Sequence, residues 1–306
     1  MKDPIAVKAP SDIKAFEVKQ AVIGLELGQT DDNVLAYAQY FTKHIPTSAA
    51  CFVHVIPAPQ LLEAFYENIA GRFDIKASIH ANLLKKISPL FKDVNVTKEY
   101  EVKEGNPLKE LVDAAEEKAA DLVIIGQKSN AQKHGILAKN LARAAAGNAL
   151  VVPEKAVVNI SKILVPIDFS PNSVKAFQTA LAINQQLKEK ATIVCLNVFD
   201  LPNFSAYDVG RSPAQFKTWI IDSRKEAFAH FLNTYAPDNQ NNISTVLIER
   251  EGPGLAHYIM DYAQKEHFDL MVMGAKGHST IERLLMGSVT EKILSMNEFM
   301  ATLVVK

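Results

Sequence analysis

Glycine, lysine and hydroxyl residues crowd one stretch of this 306-residue chain: Gly274-Ala275-Lys276-Gly277, then nine residues, then Gly287-Ser288-Val289-Thr290. The chemistry these types share is anion binding. Glycine lets a backbone approach a phosphate closely and permits φ > 0 in a tight loop. An apolar run at 270–273 precedes the stretch, and a helical pattern at 289–296 follows it. The free N–H groups and positive dipole end of that helix favour an anion. Ser288 and Thr290 add hydroxyl donors near the same spot, and Lys276 adds a cation. A strand-end glycine, a loop glycine and an N-cap serine are each common alone. It is the spacing G-x2-G-x9-G-S, between a buried strand and a helix, that points to phosphate.

In an open α/β sheet, ligands bind beyond the carboxyl ends of the strands, where the strand order reverses. Two further segments should converge there: Val165-Pro166-Ile167-Asp168-Phe169-Ser170, and Asn197-Val198. Other chemistry is weaker. The eight histidines form no HxxxH or HExxH pair. His54 ends an expected strand and reads as structural, whereas His278 adjoins the glycine loop. Cys51 and Cys195 sit in apolar runs and read as inert core thiols. The chain has no G-x-S-x-G elbow, Walker lysine motif or G-x-G-x-x-G loop.

The elements that must position these groups follow from periodicity. Short runs rich in Val, Ile and Leu predict buried parallel strands at 20–25, 50–56, 96–102, 121–126 and 149–153. The second half gives five more at 162–167, 191–198, 244–249, 269–274 and 301–305. Between them, Val174, Phe177, Ala180, Leu181, Ile183 and Leu187 share a helical face, as do Leu255, Tyr258, Ile259, Tyr262 and Ala263. Alternating strands and helices predict a doubly wound parallel sheet. The stretch 199–222 is longer than a crossover needs. Its aromatics Phe204, Tyr207, Phe216 and Trp219 are expected to pack a domain face or to cover a ligand.

Self-comparison shows a duplication. DLVIIGQKS at 121–129 matches DLMVMGAKG at 269–277 with an offset of 148, and AVIGLELGQT at 21–30 matches ILVPIDFSPN at 163–172 with an offset of 142. The seam lies in PEKAVVNIS, near 153–161, which gives domains 1–157 and 158–306. Lys plus Arg is 33 against 34 for Asp plus Glu, and a split after Val158 leaves 19 of each sign before it and 14 against 15 after it. Neither half has the basic footprint of a nucleic-acid or anionic-membrane binder. Apolar residues at 48% and charged residues at 22% fit a globular chain rather than a disordered one. Two cysteines, an opening MKDPIAVKAPSDIKAFEVKQ without an apolar core, and no apolar run near 18 residues predict a cytoplasmic protein.

GAKGHSTIERLLMGSVTEKIL resembles the G-2x-G-9x-G-S/T signature of the universal stress protein family, in its ATP-binding branch. ILVPIDFSPNS looks like that family's first strand and following loop, with its Asp. The resemblance covers both halves as tandem copies and is specific in the second. It implies two five-stranded domains of order 3-2-1-4-5, packed as an intrachain pseudo-dimer. It also implies ATP, with Mg²⁺ only as companion of the triphosphate. Adenine is expected against Pro166, Ile167 and Val198, and ribose and phosphates near Asp168, Gly274, Gly277, Gly287, Ser288, Val289 and Thr290. Asp168 has a second reading, as a loop residue capping the helix near 172. The first copy departs from the signature. At the offset of 142, Glu26 matches Asp168 and Gly24 matches Pro166; at the offset of 148, Ser129 matches Gly277, Lys139 matches Gly287 and Asn140 matches Ser288.

Three functions stay open. One is a regulatory protein that binds adenine nucleotide and alters its contacts with protein partners. The second is a slow ATPase, for which Glu282 or Glu291 would have to serve as base. The third is an interaction module with vestigial pockets. A further homodimer is compatible with each.

Overall fold

The computed structural model describes residues 14–28, 30–57, 75–128, 135–201, 213–238, 240–277 and 286–306. The first half runs β1 (Val18–Leu25), α1 (Thr30–His44), β2 (Thr47–Pro57), α2 (Ile75–Ile87), β3 (Thr97–Gly105), α3 (Pro107–Glu117), β4 (Leu122–Gln127), α4 (Ile136–Ala144) and β5 (Asn148–Pro153). The second half repeats the grammar: β6 (Lys162–Pro166), α5 (Pro171–Gln186), β7 (Thr192–Asp200), α6 (Pro213–Tyr235), β8 (Ile243–Arg250), α7 (Leu255–Lys265), β9 (Leu270–Gly274), α8 (Ser288–Met296) and β10 (Ala301–Val305). The ten strands expected from periodicity are all present.

The strands form one sheet in the order β3-β2-β1-β4-β5-β10-β9-β6-β7-β8, which is 3-2-1-4-5 twice, set head to head. Pairing within each half is parallel. The halves join through antiparallel β5 and β10, with Leu150 opposite Leu303 and Val151 opposite Thr302. An apolar edge invites pairing with another chain, and this pairing removes two such edges at once. The outer edges are β3 and β8, and β3 carries Lys98, Glu99, Glu101, Lys103 and Glu104. Helices cover both faces. On one face a continuous core runs from Phe52 and Phe91 through Leu150 and Leu303 to Phe177 and Phe228.

The duplication reaches the backbone. Leu27 and Phe169 occupy matched positions after the first strand of each copy, with φ of 62° and 63°. Ala119 and His267, at the ends of α3 and α7, have φ of 49° and 55°. Left-handed backbone at non-glycine residues is strained, so its recurrence marks a turn the fold requires. The Phe169 ring is held by Phe228 and Phe231, with centroids 5.1 Å and 5.9 Å away.

The stretch 199–222 departs from its expectation. Phe204 and Tyr207 lie outside the described residues, but Phe216 and Trp219 belong to the first turns of α6. Their rings are 5.4 Å apart, and Trp219 is 52% exposed, so it does not pack the domain face. That work falls further along the helix, to buried Phe228 and Phe231. A parallel crossover of this length is itself a helix, because its apolar side must cover the sheet.

Candidate functional site

At the carboxyl ends of β6, β7 and β9 lies a cavity of about 260 Å³. Chain segments leave β6 for α5 on one side and β9 for α8 on the other, so the strand order reverses at this point. Pro166, Ile167 and Asp168 reach the cavity from β6, Val198 from β7, Gly274, Lys276 and Gly277 from the loop after β9, and Gly287, Ser288, Val289 and Thr290 from the start of α8. The residues singled out in the sequence are thus brought together on one wall system. Leu255 and Ile259 of α7 complete an apolar slot opposite Pro166 and Val198.

The glycines have different physical reasons. A Cβ on Gly274 would come within 2.9 Å of Asn172 main chain, and one on Gly277 within 2.7 Å of Asp168 Oδ2. Packing against main chain therefore requires the glycine at 274, whereas at 277 only the tip of the Asp168 side chain is in the way. A Cβ on Gly287 would meet nothing closer than 3.5 Å, and its φ of −77° suits any residue. The Gly287 N–H donates to Ala275 O at 2.7 Å, folding the loop back onto β9. Gly287 is also the N-cap of α8, and no side chain caps that helix. The N–H groups of its first turn thus face the cavity end with their dipole.

Thr290 does not offer its hydroxyl proton to a ligand. It is buried and donates to Gly274 O at 3.0 Å, pinning α8 to the end of β9. Asp168 Oδ1 accepts from Ser170 N at 2.9 Å, forming the turn before α5. The cap itself is Ser170, whose hydroxyl accepts from Ser173 N at 3.2 Å. The helix-capping reading of Asp168 therefore belongs to Ser170.

At the opposite end Asn197, expected there from the sequence, is joined by Arg224, which no motif marks. Asn197, buried on β7, donates from Nδ2 to Ile167 O at 2.7 Å and accepts at Oδ1 from Arg224 Nη1 at 2.8 Å. Arg224 lies on α6 with its guanidinium 4.7 Å from the Phe199 ring centroid. Burial pulls its pKa below the usual range, while nearby Asp200 opposes the shift. A chain of arginine, amide and carbonyl thus fixes the Ile167 main chain. Burial lowers the pKa of Lys306 and the charge of Lys276 adds to the effect, but Lys306 donates to Arg143 O at 3.0 Å and does not line the cavity.

The first copy keeps a cavity at the equivalent place, of about 330 Å³. The constant-offset match that set Lys139 against Gly287 and Asn140 against Ser288 is corrected by the helices. The N-cap of α4 is Gly135, so Gly135 stands at the position of Gly287, Ile136 at Ser288, Leu137 at Val289 and Ala138 at Thr290. Gly126 and Gly135 are four residues closer together than Gly274 and Gly287, a shortening that a fixed offset cannot see. Lys139 does not line the cavity; Lys128 does, paired with Glu26. Ser129, His278 and Glu282 lie outside the described residues.

Neither cysteine is chemically poised. Burial pushes the Cys51 thiol up to about 12, with Glu101 adding to the effect, and burial raises Cys195 as well. Ligand atoms of Cys51, Glu99 and Glu101 lie within 4.8 Å of one another, but the Lys118 ammonium bridges the two carboxylates at 2.5 Å and 2.8 Å.

The pattern of the universal stress protein family matches residues 17–153 and again 159–298. The chain belongs to that family. As a tandem universal stress protein it has relatives of both lengths. It is 29% identical over 145 residues to Universal stress protein MJ0531 of Methanocaldococcus jannaschii, covering 47% of this chain and 81% of that one. A universal stress protein from Archaeoglobus fulgidus DSM 4304 superposes over 96% of this chain and 98% of its own, with a TM-score of 0.64 at 13% identity. Another universal stress protein from Archaeoglobus fulgidus, solved in complex with dAMP, covers 44% of this chain and 97% of its own, with a TM-score of 0.32 at 17% identity. No helix among the described residues is long and apolar enough to cross a membrane.

Proposed function

We propose that the second copy binds one ATP in the cavity between β6, β9 and α8, and that the protein is a nucleotide-responsive regulatory protein. The observation that carries this reading is Gly287. Of the three glycines that line the cavity, Gly274, Gly277 and Gly287, it is the one at which a Cβ would meet no protein atom closer than 3.5 Å, and it stands at the uncapped start of α8. The space kept open there suits a phosphate on main-chain N–H groups.

The remaining roles follow from position. Pro166, Ile167, Val198, Leu255 and Ile259 offer an apolar slot for adenine, and Asn197 holds the main chain at its rim. Asp168, held in its turn by Ser170 N, faces the ribose. Residues 288–290 supply N–H donors, Ser288 a hydroxyl and Lys276 a charge for the phosphates. Mg²⁺ would arrive with the triphosphate. Hydrolysis is not part of this reading: Glu291 is ion-paired with Arg143, so it is not free to act as a general base.

Calorimetry on the full chain tests the proposal. One ATP per chain is expected, with binding lost in a Gly287→Val, Ser288→Ala double variant. Two equivalent sites, or unchanged binding in that variant, would place the nucleotide elsewhere.

A further inference from the structure

We propose that the cavity of the first copy is a second small-molecule site, selective for an unphosphorylated nucleoside-type ligand and closed to ATP. The nucleoside part of this inference rests on reading the second cavity as an adenine site.

The base side of the cavity is kept. Leu25 stands where Ile167 does, Val55 where Val198 does, and Leu111 of α3 where Ile259 of α7 does. The strand-end hydrogen bond is kept too. His54 takes the place of Asn197, and its Nδ1 lies 2.9 Å from Leu25 O, as Asn197 Nδ2 lies 2.7 Å from Ile167 O. A carbonyl oxygen only accepts, so the His54 Nδ1 donates to it. Gly24 replaces the ring of Pro166, and the space is about 330 Å³ rather than about 260 Å³. Its volume lies in the range of about 300–1,000 Å³ typical of small-molecule sites.

The phosphate side is dismantled. The loop is four residues shorter, Ile136 and Leu137 stand where Ser288 and Val289 do, and Gly135 caps α4 in a left-handed conformation with φ of 61°. Lys128 pairs with Glu26, and both line the cavity. Asp31 occupies the place of Ser173, with its carboxylate accepting from Glu26 N at 2.9 Å and lying 3.9 Å from Lys86. Lys86 in turn pairs with Asp32 at 2.9 Å. Carboxylates thus outnumber ammonium groups around the cavity, which disfavours a polyphosphate and suits a ligand rich in hydrogen-bond donors.

NMR on the full chain separates the two sites. The His54 ring signals report the first cavity, and the Gly287 and Ser288 amide signals report the second. Adenosine should move the His54 signals saturably, with ATP at least about tenfold weaker there. Leu137→Trp, which adds bulk to the lining of the cavity, should weaken adenosine at least about tenfold, and Pro107→Phe gives a second, independent filling. Gly287→Val should leave the His54 response unchanged. No saturable response of His54 to adenosine, or an equal response to ATP, overturns the proposal. If ATP leaves the Gly287 and Ser288 signals unmoved while adenosine saturates His54, the ATP reading of the second cavity falls and the first-copy site stands.

Discussion

A side chain at each of the second-copy glycines has a different consequence. Gly274→Ala drives a methyl group into Asn172 main chain 2.9 Å away, and main chain at a helix start cannot swing aside. The expected cost is about 1–3 kcal/mol of stability, measured by chemical denaturation of the unliganded protein. Gly287→Val should denature close to the parent yet bind ATP more than about tenfold more weakly, a loss above about 1.4 kcal/mol. Equal losses of stability at the two positions would show that Gly287 is a packing glycine as well. Asp31 gives a pH test. Burial raises its pKa from the ordinary carboxylate value, against the opposing Glu26 N–H and Lys86. The folded chain therefore holds this proton to higher pH than the unfolded chain does. The contribution of Asp31 to stability falls as pH rises through that raised value. Asp31→Asn should accordingly gain stability relative to the parent at neutral pH and lose that advantage below the carboxylate range; a gain that grows as pH falls would reverse the assignment.

Helix α8 is the element both copies share. Its first turn lines the second cavity, while Gln127, buried at the end of β4 in the first copy, donates from Nε2 to Leu294 O at 2.8 Å and Asn297 O at 2.9 Å. Those carbonyls belong to the last turn and its cap, where intrahelical donors run out. Gln127→Leu should cost about 1–3 kcal/mol, because it leaves buried acceptors without donors. Arg143→Ala, which breaks the half-exposed ion pair with Glu291, should cost only about 0–1 kcal/mol. Comparing the two variants by denaturation decides whether the amide or the ion pair holds the helix. Because nucleotide would bind one end of a helix whose other end the first copy grips, occupancy in one half has a direct mechanical route to the other.

At the scale of the molecule, the pairing of β5 with β10 turns two sheets into one. The strand β10 is buried along its whole length. Residues 158–306 expressed alone would expose that strand as an apolar edge, and unpaired edges recruit other chains. The isolated half should therefore associate, most simply as a dimer through β10, as read by sedimentation velocity. A monodisperse, soluble monomer would show that the interface depends on side-chain contacts such as Lys155 with Glu298 more than on the strand.

The sequence by itself determined the periodic structure and the place of the second cavity. Strand and helix faces are written in local spacing, so Phe177 and Ile259 are buried where a 3.6-residue period puts them. G-x2-G-x9-G-S is also a local pattern, and Gly287 opens α8 as that pattern requires. Tertiary structure alone decided the rest. Arg224 reaches Asn197 from 27 residues away on a helix that carries no motif. The Thr290 hydroxyl is committed to Gly274 O, 3.0 Å away, a contact that no spacing encodes. The match of Lys139 to Gly287 fails because a fixed offset assumes equal loops, whereas helix ends are set by where N–H groups find partners. Only the folded backbone shows Gly135 at that position.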